Sequence, residues 1–328
     1  MTSPFFIVGT QRSGTTLLRL ILNSHSKIAV PEEGTFLMPL LKEKYLNYTF
    51  KGKELDRLIK YISQNPQFEL WNKDFTEFFR EVRNKGRTTL KEFISGLYSF
   101  YAKKEGKIFW GDKTPSFFRK IDVLKKLFPE AKFIHIVRDG RDIFNSWRKM
   151  DPTKNNAPVI ALDWIYKIKK IEKSFQKMNP KDNLTIRYED LLDDPKKTVS
   201  SIGKFLEIDF EETMLEFYKQ SGKYIGKHHS PLIYKSITNV NKFKWKKTLT
   251  KNEIGSFALV AKKYLKKYGY ELPDKCVDFQ VVLYTIANLA YGFPYRTYQV
   301  LKAKFAYELA LKKGKRVRGI KFGEKPNM

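Results

Sequence analysis

The chain has 328 residues, 42% of them hydrophobic, enough for a sizeable core in one large or two smaller domains. Its 63 Lys and Arg against 35 Asp and Glu give a formal net charge of +28, so anionic partners are expected: nucleic acid, anionic lipid, an acidic glycan or a polyanionic cofactor. The single cysteine, Cys276, excludes an intramolecular disulfide, and no uninterrupted apolar run reaches the ~18 residues of a spanning helix. A first core strand only a few residues after Met1 leaves no room for a secretory signal, so a cytoplasmic location is expected.

The apolar run Pro4-Phe5-Phe6-Ile7-Val8 stops at Gly9, a polar loop carries Arg12 and Gly14, and Leu17, Leu18, Leu20, Ile21 and Leu22 begin a helical pattern. A buried strand, a tight turn and a helix N-terminus present unpaired backbone N–H groups to an anion, phosphate above all. The spacing from Gly9 to Gly14 is that of a nucleotide-binding P-loop, G-x-x-x-x-G-K-[ST], but Thr15 stands at the lysine position. Arg12 carries the charge instead. A transferred group less charged than a γ-phosphoryl needs less neutralisation, which favours sulfuryl over phosphoryl transfer.

A turn at Asn23-Ser24-His25-Ser26 leads to a short second strand, Ile28-Ala29-Val30-Pro31, ending at Glu32-Glu33. Carboxylates at a strand's carboxyl end lie where doubly wound sheets do their chemistry, so one of the pair is the candidate base. From about Phe36 to Lys104 the pattern is helical and lysine-rich, a wall or lid for an acceptor pocket. Ile108-Phe109-Trp110-Gly111-Asp112-Lys113-Thr114-Pro115 predicts a strand stopped by proline, with Lys113 at its end. Another buried strand, Phe133 to Val137, runs into Arg138-Asp139-Gly140-Arg141-Asp142, with Ser146 in the helix that follows. An arginine fork at that place is a second anion site. A helix from about Ala157 to Met178 precedes a strand ending at Arg187-Tyr188, and Lys235 to Lys247 is a basic loop with Trp245 within it. The alternation of strands and helices predicts an α/β fold, a parallel sheet flanked by helices.

These blocks together resemble the sulfotransferase superfamily that uses 3′-phosphoadenosine-5′-phosphosulfate (PAPS). Gln11 to Leu17 resembles its 5′-phosphosulfate loop, and Ile136 to Asp142 with Ser146 its 3′-phosphate motif. Gly111-Asp112-Lys113-Thr114-Pro115 and Arg187-Tyr188-Glu189-Asp190-Leu191 match two further blocks in order. The likeness runs from about residue 4 to 272 and is closest in form to the tyrosylprotein-sulfotransferase-like and bacterial glycan branches.

The resemblance implies that Arg12, Ser13, Gly14, Thr15 and Thr16 cradle the 5′-phosphosulfate. Arg138 and Ser146 would hold the 3′-phosphate, Tyr188 would line the adenosine pocket, and Ser236, Lys244 and Lys246 are the nearest matches to a basic cofactor clamp. Glu33 aligns with the acceptor-deprotonating glutamate and Lys113 with a lysine that stabilises the leaving oxygen; with Arg12 they form the expected catalytic set. Glu32 and His25 are alternative bases. No metal is implied. The expected reaction moves a sulfuryl group to an acceptor hydroxyl, of a glycan or lipid-linked sugar or a peptide tyrosine, releasing adenosine 3′,5′-bisphosphate (PAP). A P-loop nucleotide kinase and a non-catalytic polyanion-binding protein are the alternatives; nucleic acid is not expected as a partner.

Beyond Pro273 the family pattern fades. Residues 1–275 are expected to form the catalytic domain and 276–328 a helical basic extension. In it Phe279 to Leu289 is apolar, Gly292-Phe293-Pro294 breaks the pattern, a second helix follows from about Tyr298, and Lys312 to Arg318 is basic. An apolar helix beside a basic cluster is expected either to touch the inner membrane surface peripherally or to pack on the domain or a second subunit as a homodimer.

Overall fold

A computed structural model describes residues 3–219, 234–273 and 278–312. Cys276, the basic run beyond Lys312 and residues 221–233 of the 221–235 loop expected from the sequence to shape the acceptor pocket lie outside them. The chain divides into two compact units, residues 1–137 with 170–238, and residues 138–169 with 239–328.

In the first unit β1 (Phe5–Gly9) leads through a five-residue loop to α1 (Thr15–Asn23) and β2 (Ile28–Ala29). Residues 36–104 are mostly helical, as the spacing of apolar residues requires: α2 (Lys53–Ser63), α3 (Pro66–Glu69), α4 (Thr76–Lys85) and α5 (Leu90–Lys104). They also hold a small antiparallel ribbon, β3 (Thr49–Lys51) on β4 (Arg87–Thr89), absent from the helical reading. Both strands are three residues long, too short for alternation to register. Thr89 and Glu92 form a reciprocal capping box that starts α5. Then come β5 (Phe109–Lys113), α6 (Ile121–Leu127) and β6 (Lys132–Val137).

The chain next passes through the second unit in α7 (Gly140–Met150), and α8 (Ala157–Phe175) brings it back to the first. There it adds β7 (Asn183–Arg187), α9 (Tyr188–Asp193) and α10 (Pro195–Leu206). The second unit closes with α11 (Trp245–Thr248), α12 (Lys251–Lys267) and α13 (Phe279–Lys312).

The sheet has five parallel strands in the order β2-β5-β1-β6-β7. Every residue of the central strand β1 is buried. Phe6 and Val8 enter one apolar cluster while Phe5 and Ile7 enter the other, which is why β1 reads as an unbroken apolar run rather than an alternating one. Each such side chain, fully buried, stabilises the fold by about 1.5–3 kcal/mol. From β1 the chain moves to one side of the sheet, to β2, and from β6 to the other, to β7. The strand order therefore switches between β1 and β6, and the carboxyl ends there are where this architecture binds ligands.

Contrary to the expected break, α13 runs through Pro294 as one 34-residue helix. Proline removes one N–H and crowds the preceding turn, which kinks a helix more often than it ends one when both flanks carry helix-forming residues. On α13 the face of Val281, Thr285, Asn288 and Gly292 is packed. Thr285 Oγ1 bonds Ser256 Oγ of α12 at 2.9 Å, and Asn156 Nδ2 donates to the Asn288 carbonyl at 2.9 Å.

Candidate active site

The loop after β1 has the backbone of an anion cradle. Arg12 has φ 72° and Gly14 φ 95°, with Ser13 between them outside the left-handed region, an alternation of the kind from which anion-binding nests are built. Gly14 is the N-cap of α1 and offers no side chain to that helix end. A Cβ here would lie 2.3 Å from the Tyr188 ring, so only glycine lets the tyrosine, first residue of α9, sit against the loop. Ser13 is fully buried and its hydroxyl donates to the Thr10 carbonyl at 2.7 Å, fixing the turn from within. Thr10 Oγ1 is buried with no hydrogen-bond partner among the described residues, a polar atom a bound oxyanion would satisfy.

The lysine missing from the loop comes from the neighbouring strand. Lys113, last residue of β5 and fully buried, places Nζ 3.5 Å from Thr16 Oγ1 and 2.6 Å from Glu33 Oε1. The parallel register explains the meeting: Ile28 pairs with Phe109 and Ala29 with Trp110, so chain leaving both strands keeps Glu33 beside Lys113, 80 residues away. Glu33 is about one-third exposed, and only its Oε1 bonds Lys113.

A hydrogen-bonded chain beneath this pair holds it. The Gly34 N–H donates to Thr114 Oγ1 at 2.7 Å, Thr114 Oγ1 donates to Asp112 Oδ2 at 3.1 Å, and the Tyr98 hydroxyl donates to the same oxygen at 2.6 Å. Asp112 and Tyr98 are fully buried. Burial pushes the Asp112 carboxyl up to about 6, against the pull of both hydroxyls and of Lys113. It drives the Tyr98 phenol well above its ordinary range, Asp112 adding to the effect. Sequence analysis named Asp112 and Thr114 only within a family-like block and did not single out Tyr98; the available signal was an aspartate beside a lysine at the end of an apolar strand.

The alternative bases are otherwise engaged. Glu32 Oε1 is 2.6 Å from Arg19 Nη1, while Arg19 Nε donates to the Val30 carbonyl at 2.9 Å and Trp71 Nε1 to the Glu32 carbonyl at 2.9 Å. His25 is buried. Its Nδ1 accepts from the Lys27 N–H at 3.0 Å, which leaves the proton on Nε2, 3.1 Å from the Asp209 carbonyl. Both ring nitrogens are thus committed, Nδ1 within the turn after α1 and Nε2 to the distant Asp209 carbonyl.

In the second unit Arg138 lies just before α7 and is buried, its Nη2 donating to the Asn241 carbonyl at 2.6 Å and lying 3.5 Å from Asp142. Asp139 caps α7 by accepting from the Arg141 N–H, and it grips the Arg141 guanidinium at 2.9 and 2.7 Å. Trp245 Nε1 donates to Asp139, its backbone N–H donates to Asp142 at 2.9 Å, and Arg141 stacks 3.7 Å over its ring. Burial raises the Asp142 carboxyl against the pull of Arg138. The aromatic residue of the basic segment is thus an anchor onto α7. Its neighbours Lys244 and Lys246 are exposed, Lys246 pairing with Glu271 at 2.5 Å; Ser146 is half-buried in α7, and Ser236 is exposed in the first unit.

A cleft of about 290 Å³ between the start of α8 and the middle of α13 is lined by Lys154, Asn156, Tyr295 and Arg296. Burial, helped by Arg296, lowers Lys154 to about 7 against the pull of Asp151. Sequence analysis did not single out this lysine. Among the described residues no group of His, Cys, Asp or Glu has metal-binding geometry, and no helix is long and apolar enough to cross a membrane.

Residues 4–212 match the Sulfotransferase family model. The chain is 26% identical over 280 residues to protein-tyrosine sulfotransferase A of Caenorhabditis elegans, covering 82% of this chain and 68% of that one. It is 25% identical over 253 residues to the omega-hydroxy-beta-dihydromenaquinone-9 sulfotransferase Stf3 of Mycobacterium bovis, covering 63% of this chain and 64% of that one. Among solved structures, the sulfotransferase domain of the Synechococcus PCC 7002 olefin synthase shares its fold with a TM-score of 0.57 and 24% identity, over 83% of this chain and 96% of that domain. With its loop geometry, its parallel sheet and a family match across most of the chain in agreement, the protein belongs to the sulfotransferase family.

Proposed function

We propose that the protein transfers the sulfuryl group of PAPS to an acceptor hydroxyl, with Glu33 as general base. The observation that carries this is the meeting of Glu33, Lys113 and Thr16 beside the arginine-bearing loop after β1. PAPS brings an activated sulfuryl group. Residues 10–16 bind the 5′-phosphosulfate through backbone N–H groups, and Arg12 adds positive charge. Glu33 takes the hydroxyl proton as the acceptor oxygen bonds to sulfur. The bond from sulfur to the bridging oxygen breaks, and PAP leaves. Lys113 hydrogen-bonds Glu33 in the ground state and, next to Thr16, meets the charge gathering on the bridging oxygen.

By their family motifs, Arg138 and Ser146 bind the 3′-phosphate, Tyr188 borders the adenosine, and Ser236, Lys244 and Lys246 belong to the basic clamp. By their names the two relatives above act on protein tyrosine, which carries a phenol hydroxyl, and on an omega-hydroxy menaquinone, which supports a hydroxyl acceptor here. A glycan or lipid-linked sugar is the favoured acceptor class, with peptide tyrosine as the second reading.

The test combines turnover of radiolabelled PAPS against glycan, lipid and peptide acceptors with calorimetry of PAP. Glu33→Gln is expected to lower turnover by ~10²–10⁴-fold and Lys113→Ala by ~10²–10³-fold, with PAP affinity retained. Arg138→Ala should weaken PAP itself. Full turnover by Glu33→Gln would remove the assigned base.

A further inference from the structure

The exposed face of α13 is patterned. Phe279, Leu283, Ile286, Ala290, Phe293, Thr297, Leu301 and Phe305 follow one another at three- and four-residue steps and are all exposed, on the side opposite the packed Val281, Thr285, Asn288 and Gly292. This is one stripe about seven turns long. Six of its eight members are large and apolar, and Ile286 and Phe293 are each more than half exposed. Scattered apolar residues on a surface need no explanation, but a continuous stripe of this length marks an interaction site.

Charge narrows the partner. From Phe279 to Tyr307 the sequence contains no acidic residue, and the exposed Lys302 flanks the stripe. Lys312, Lys313, Lys315, Arg316 and Arg318 follow it in the sequence. Tyr291 and Tyr298, both exposed, lie on the stripe's edge, where rings with an apolar body and a polar tip suit a headgroup boundary. A second copy would bring the same basic surface, and each chain already carries a net charge of +28, so pairing through this face meets repulsion. An anionic surface meets attraction. The helix falls short of the hydropathy needed to span a bilayer, as an in-plane amphipathic helix does.

We propose that α13 lies in the headgroup region of an anionic membrane, apolar stripe down, and holds the enzyme at the lipid surface. The assignment does not depend on the sulfuryl donor. It is tested by sedimenting the full-length protein with vesicles of phosphatidylcholine alone or mixed equally with phosphatidylglycerol. The protein should pellet with the mixed vesicles and remain in solution with the neutral ones, and salt should release it. A variant with Leu283→Ser, Ile286→Ser, Phe293→Ser and Leu301→Ser should partition at least about tenfold more weakly, because each change removes buried methylenes from the interface. The milder pair Phe293→Ser and Leu301→Ser should fall between. Unchanged PAP affinity and helix content would show that both variants fold. Vesicle binding unaltered by the serine changes would overturn the proposal. So would a wild-type dimer, seen by sedimentation equilibrium, that the changes dissociate while vesicles bind neither form.

Discussion

Gly34 is the residue whose replacement tests most directly how Glu33 is positioned. Its φ of −77° suits any amino acid, so the constraint there is space alone. A Cβ at Gly34 would lie 2.5 Å from the Tyr98 hydroxyl and 2.9 Å from Asp112 Oδ2, where ordinary contact begins near 3.4 Å. Relief of the first contact needs a shift of 3.4 − 2.5 = 0.9 Å; relief of the second needs 3.4 − 2.9 = 0.5 Å. Tyr98 is packed among Trp71 and Trp110 with ring centroids 4.8 and 4.6 Å away, so the loop has to give. Displacement by about 1 Å of a group that must meet its reactant can cost ~10²-fold in rate. Gly34→Ala is therefore expected to lower kcat by about that factor and leave PAP affinity unchanged, since residues 10–16 lie outside the disturbed contact. Adding Tyr98→Phe removes the larger conflict and should restore much of the lost kcat, relative to Tyr98→Phe alone. Steady-state kinetics with calorimetry of PAP measure both. Wild-type kcat in Gly34→Ala, or no recovery in the double variant, would refute the idea that this close approach positions the base.

Asp112 makes the first unit sensitive to pH. With its native carboxyl at about 6 against 3.8 unfolded, the unfolded chain releases a proton first as pH rises. Stability then falls between these values, and the penalty above them is 6 − 3.8 = 2.2 units, about 3 kcal/mol. Urea unfolding of Asp112→Asn should lack this decline, and a pH-independent difference from wild type would contradict it. Lys154 runs in the opposite sense. Native at about 7 and unfolded at 10.5, it releases its proton first in the folded state, so stability rises with pH across that window. Lys154→Met should stabilise the protein most near neutral pH, with the gain shrinking toward alkaline pH; a constant gain would count against the lowered value.

Arg12 to Thr16 could be recognised from sequence because everything that shapes them is local. An unbroken apolar strand, a glycine in left-handed backbone and a helix start follow from a dozen consecutive residues. The same holds for the ends of β5 and β6, where proline after Lys113 and the capping Asp139 after Arg138 stop or start an element by short-range sterics and hydrogen bonding. The ribbon of β3 and β4 escaped notice because three-residue strands leave no period to read, and Pro294 misled because a lost N–H was read as a helix end.

Sequence by itself determined that a phosphate-type cradle opens the chain, that a lysine and two glutamates stand at strand ends, and that a basic apolar helix closes the described residues. Spacing alone left Glu32 and Glu33 open, and only the family resemblance pointed to Glu33. What each carboxylate touches came from which strand lies beside which: β2 on β5 brings Glu33 to Lys113, while Arg19 of α1 takes Glu32. Nor could it find the bonds joining Gly34, Thr114, Asp112 and Tyr98. These depend on the order of strands in the sheet and on α5 folding over it, and a sequence states neither, because pairing between distant segments is settled by packing the whole core.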